Sequence, residues 1–199
     1  MTIKRLALLA VLVLAAAVVP FSTAAGGAQH VGWAIISVSP VPLVPPLTFN
    51  PGGVATAQTP EGVTITLTGS GTFVAPAGNS GGSNGVTGGG TWATSTGQSG
   101  TYVVKGLVRW ELANAQANPG GLPVVDNTGD TTKRANGVAV LRILFSDGQS
   151  GVLTVGCHGP GAPAGIFEGI ATTKGFTTYY NVPTPVGTAD TGRTIFHVN

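Results

Sequence analysis

What this chain has least of is charge and cysteine. Only 8% of its 199 residues are Asp, Glu, Lys or Arg, against about 25% in ordinary globular domains. Nine Lys and Arg face seven Asp and Glu. Lys4 and Arg5 lie in an N-terminal segment expected to be removed, which leaves seven against seven and no net charge. A neutral chain gives no electrostatic case for nucleic acid or an anionic membrane surface as partner.

The single cysteine, Cys157, excludes an internal disulfide. Its thiol is either buried or bonded to another molecule. Paired ligand spacings such as CxxC or HExxH are missing, so no metal and no cofactor is expected. Asp126, Asn127 and Asp130 lack the closing Glu of a calcium loop. There is no Gly-x-Ser-x-Gly elbow for a hydrolytic triad. The glycine runs precede no helix pattern and no Lys-Ser/Thr, which sets aside a phosphate-cradling loop. Heptads and amphipathic helices are missing as well.

What is present is apolar material (42%) and 32 glycines, enough for a core and inconsistent with wholesale disorder. Lys4 and Arg5, the apolar run Leu6 to Val19, Pro20 and then small residues read as a secretory signal over 1–28, cut after Ala24, Ala25 or Ala28. The apolar run is short for a membrane span, so no stable membrane insertion is expected after cleavage. The protein is expected to be secreted, into a periplasm or out of the cell.

Residues 29–60 read as a proline-rich extended arm carrying a first strand over Val31 to Val38, with a solvated His30 at its start. Residues 61–199 read as a single domain. Val63, Ile65 and Leu67 alternate with threonines, the period of a half-buried strand. Thr68-Gly-Ser-Gly-Thr-Phe recurs as Thr87-Gly-Gly-Gly-Thr-Trp. This echo predicts two strands bent at their glycines and joined by a flexible loop. From Thr101 to Leu112 another strand carries Lys105, Arg109 and Glu111 on one parity, a wet face or a polar barrel lining.

Gly137 to Gly175 holds the longest apolar pattern outside the signal region. It predicts a strand over Val138–Phe145, a turn at Asp147-Gly148 and a return strand to Cys157-His158. A Gly159–Gly165 loop and a third strand with Glu168 follow. The fold expected is all-β: a single antiparallel curled sheet, a small β-barrel of seven to nine strands, with a β-sandwich as the alternative.

Candidate binding residues are His158, Glu168 and Cys157, together with the charged strand residues Arg142, Arg109, Glu111 and Lys174. Charges on strands are informative in a chain so poor in them, because buried charges must be paired. His158 is placed to reach Glu168 across the loop and to gain a raised pKa from that pairing. His197 would have to fold back onto Cys157 for thiol chemistry. The leading functional expectation is a non-catalytic barrel binding a small ligand or partner near His158, the Gly159–Gly165 loop and Glu168. The alternatives are a self-associating structural protein of the cell exterior and an extracellular enzyme using His158 with Glu168 or Cys157.

Overall fold

The computed structural model describes residues 28–40, 44–75, 85–116, 123–183 and 191–199. The expected signal lies, but for Ala28, outside the described residues. Among these residues, thirteen strands form one sheet. They are β1 (Gln29–Ser39), β2 (Leu47–Pro51), β3 (Ala55–Gln58), β4 (Thr64–Leu67), β5 (Ser70–Ala75), β6 (Val86–Thr94) and β7 (Ser99–Ala115). After them come β8 (Val124–Asp126), β9 (Arg134–Phe145), β10 (Ser150–Cys157), β11 (Gly169–Lys174), β12 (Thr177–Asn181) and β13 (Arg193–Val198). Among the described residues every pairing is antiparallel except β2 with β8. The fold is all-β and barrel-like.

The hydrogen bonds close a ring of eight strands, β3-β4-β6-β7-β9-β10-β11-β12 and back to β3. A second ring shares three of them and runs β1-β5-β6-β7-β9-β13 back to β1. The curled wall therefore forks twice. At one fork β9 pairs with β10 from Gly137 to Leu144 and with β13 at Arg134 and Ala135. At the other, the chain passes from β4, paired with β3, into β5, paired with β1.

The glycine echo builds the second fork. Its two copies are antiparallel neighbours, Thr72 opposite Thr87, with hydroxyl bonds Thr68–Thr91 (2.7 Å) and Thr72–Thr87 (2.8 Å). Between those threonines a Cβ at Gly90 would overlap the Thr68 carbonyl oxygen. The backbones approach too closely there for any side chain, and the strand bends from one ring to the other. Of the flexible loop expected between the copies, residues 76–84 lie outside the described residues.

The stretch read as a proline-rich arm supplies β1, β2 and β3 to this sheet. Its described prolines, Pro40, Pro45, Pro46, Pro51 and Pro60, sit at strand ends or in connections, where a missing N–H costs no ladder bond. Val31, Trp33 and Ile35 of β1 enter the main core, which holds Trp92, Tyr102 and Phe145 from strands common to both rings and Phe73 and Phe196 from strands of the second. Edge-to-face contacts knit it, Trp92 to Phe145 at 5.6 Å and Trp110 to Phe196 at 4.7 Å. The opposite face of β1 is apolar too. Ala34, Ile36 and Val38 join Ile195 of β13 in a second cluster, partly roofed by Leu47 and Phe49 of β2.

Candidate functional site

The Asp147-Gly148 turn joins β9 to β10 as expected, with the Phe145 N–H bonded to the Gln149 carbonyl (2.9 Å) and Gly148 at φ +85°. β10 then carries Cys157 to the first fork. Beyond it the chain leaves the sheet at His158, and β13 takes over as the neighbour of β9. A cavity of about 570 Å³ opens at this split. Ile36, Val38, Leu47, Phe49 and Ile195 form an apolar wall. The facing wall is the end of β10 with the Gly159–Ala162 loop, and Gln116, Glu168, Arg193 and Thr194 add the polar groups.

Glu168 bridges the split. Its Oε2 accepts the His158 backbone N–H at 2.6 Å and its Oε1 accepts the Thr194 backbone N–H at 2.7 Å. One carboxylate thus satisfies donors on both sides of a gap that no strand of the described residues fills. The residue is half-buried, and removal of its carboxyl from water pushes the pKa up to about 7. The two N–H bonds and the nearby Arg193 and His158 pull the other way and are outweighed.

The expected pairing of the His158 imidazole with Glu168 is replaced by a backbone bond. The ring is exposed, and its Nδ1 lies 2.7 Å from the Ile166 carbonyl oxygen. A carbonyl only accepts, so Nδ1 carries the hydrogen and Nε2 points its remaining capacity elsewhere. Cys157 is 1% exposed. Its thiol donates to the Thr194 carbonyl at 3.2 Å and accepts from Gln116 Nε2 at 3.1 Å. Burial pushes its pKa well up, and the Glu168 charge adds to this. The thiol is therefore a buried structural group, far from a reactive thiolate. His197 does not fold back onto it; its Nε2 lies 3.0 Å from Asp126 Oδ2.

The loop is held by amides. Asn136, fully buried, accepts the Gly159 N–H at 2.8 Å and donates to Asn114 Oδ1 at 2.8 Å and the Pro160 carbonyl at 3.3 Å. Asn114 in turn donates to the Gly161 carbonyl at 2.7 Å.

The other charged candidates lie elsewhere. Arg109 and Glu111 pair with each other at 2.7 Å, exposed on the outer face of β7. Arg142 is also exposed, lies over Gly106 and lines a more open outer concavity with Lys105. Lys174 is buried at the far end of β11, six residues and roughly 20 Å from Glu168. It pairs with Asp147, its ammonium 4.3 Å from the Trp92 ring centre.

The apolar wall, Gln116, Arg193 and Thr194 are parts of the site that the sequence reading missed. One signal pointed to the wall: β1 is apolar on both parities, the mark of a strand covered on both faces. Asp126 and Asp130 turn to Thr128 with His197 and to Thr132 respectively. No cluster of three or more metal-ligating side chains occurs among the described residues.

No known protein family matches the chain, and no curated protein or solved structure matches it.

Proposed function

We propose that this chain is a non-catalytic binding protein, exported from the cell, whose groove at the fork takes a small molecule with a mainly apolar body. The observation that carries the reading is the cavity of about 570 Å³ between the β1–β2–β13 apolar wall and the loop after Cys157. Ligand sites are typically concavities of roughly 300–1,000 Å³, mostly apolar with a few fixed polar groups. Here the fixed groups are the Glu168 carboxyl, the Gln116 amide and the His158 ring at the rim. The export half rests on the charged start, apolar run and small-residue exit of residues 1–28.

The groups that would serve an enzyme are engaged otherwise. The thiol is buried and bonded to Thr194 and Gln116, the imidazole to Ile166, and both Glu168 oxygens to backbone. The same burial of Cys157 argues against self-association through a disulfide.

Titration with Nile red, a neutral apolar dye, tests the reading. Saturable one-to-one binding is expected, and Val38→Trp, which fills the groove wall, should abolish it while the far-ultraviolet spectrum stays unchanged. Binding that ignores Val38→Trp, or no saturable binding, contradicts the proposal.

A further inference from the structure

We propose that Glu168 is a proton-operated latch on this groove, its carboxylate tying the end of β10 to the start of β13 and its protonated form letting the His158 side go. The inference rests on the groove being the ligand site. Glu168 is the described side chain that accepts from backbone on both sides of the split. As an anion it has acceptor capacity on both oxygens. As an acid it has one strong acceptor oxygen and a hydroxyl oxygen that accepts weakly, and a hydroxyl hydrogen facing an N–H is repulsive. One of the two backbone bonds is therefore weakened.

Solvation decides which. Thr194 is 4% exposed, and its hydroxyl is also committed, to the Gly156 carbonyl. His158 is exposed, so its freed N–H finds water at once, whereas a freed Thr194 N–H would be left buried and unpaired. The proton accordingly settles on Oε2. Among the described residues, the titratable and charged groups facing the carboxyl are Cys157 from β10, His158 just beyond it and Arg193 from β13. Desolvation by these walls already places the carboxyl's titration at about pH 7, inside the range an exported protein meets.

Protonation neutralises the Glu168 carboxylate in the groove lining, where Arg193 keeps its charge, and release of His158 loosens the β10 side. The looser wall favours entry of a neutral apolar ligand. If the dye binds the protonated form alone, titration at about pH 7 makes it bind about tenfold tighter at pH 6 than at pH 8.

The test is amide hydrogen exchange by NMR on the chain between pH 6 and 8, corrected for intrinsic rates, with Nile red titrations on the same samples. The His158 amide should lose about tenfold protection below pH 7, while Thr194 keeps its own. In Glu168→Gln the step should vanish, with His158 unprotected throughout. In His158→Gln, which keeps the backbone N–H, the step at that amide should remain. Should Glu168→Gln fail to fold, the carboxyl carbon shift of Glu168 in the wild-type chain must titrate at the pH of the exchange step. No step, a step that survives Glu168→Gln, or a carboxyl that titrates elsewhere overturns the latch. A step without saturable Nile red binding at any pH leaves the latch standing and overturns the ligand reading. Saturable binding that is indifferent to pH overturns the coupling between them.

Discussion

The backbone N–H of Thr194 donates to the carboxylate of Glu168 at 2.7 Å across 26 residues of chain. Glu168 is in turn bonded at 2.6 Å to the His158 N–H. This bridge replaces a missing stretch of ladder where the wall divides. Its cost is a carboxylate kept out of water.

That cost sets a pH dependence of stability. The Glu168 pKa is raised from 4.5 to about 7 on folding, so the folded chain holds the proton more tightly than the unfolded one. The stabilisation is complete below pH 4.5 and is lost as pH rises through about 7. Urea unfolding should therefore show the wild-type chain more stable at pH 5 than at pH 8, by up to roughly 3 kcal/mol. Glu168→Gln should flatten the difference. Asp147, held low by its bond to Lys174, and Asp130, held low by the Thr132 N–H, act in the opposite sense. Their window lies below about pH 4, clear of this one. Stability that is constant or rising from pH 5 to 8 contradicts the assignment.

At the other end of the barrel, Lys174 and Asp147 should respond unequally to substitution. Lys174 is buried against Trp92 and Phe145, whereas Asp147 reaches solvent. Asp147→Ala leaves an ammonium buried without its counter-ion, but Lys174→Met leaves a carboxylate that water can solvate. Thermal melts should show the larger loss for Asp147→Ala. Equal losses would mean that the ammonium is reached by water.

The glycines of the second fork should be far less replaceable than those of exposed turns. Gly90→Ala places a methyl on the Thr68 carbonyl oxygen and should cost roughly 3 kcal/mol or more. Gly97, at φ +86° with open space around it, should lose only about 1–2 kcal/mol as alanine. Denaturant midpoints of the two variants check the contrast.

Cys157 should be inert to thiol reagents in the folded chain and react fully in urea. Its thiol is buried, hydrogen-bonded and pushed toward the protonated form. Labelling with a disulfide reagent under native conditions, slower than free cysteine by at least about a hundredfold, is the expected result. Rapid labelling would reopen a role for the thiol at the surface.

Much of the fold was legible because it is written locally. Ile65 and Leu67 alternate with Thr64 and Thr66, and the former are buried; Asp147-Gly148 marks its own hairpin. The forks were not legible. That β10 and β13 share one side of β9, and that Glu168 spans the gap, depends on contacts between distant segments with no local pattern. Strand β7 hid its facing for another reason: register shifts near Gly106 and Val108 break its parity. Leu107 turns inward and Val108 outward, against the alternation read from the sequence. Within the site, Cys157, His158 and Glu168 could be named because they cluster in one hairpin. Lys174 follows Glu168 closely in sequence, yet an extended strand carries it to the opposite end.

The most direct test of the groove is an NMR titration of the isotopically labelled chain with Nile red, followed at the amides and methyl groups. The account predicts saturable shifts at Ile36, Val38, Leu47 and Ile195 and at the amides of the Gly159–Ala162 loop, with one stoichiometry. Shifts confined to the outer face of β7, at Val103, Val108 and Leu112, or no saturable shifts at all, would contradict it.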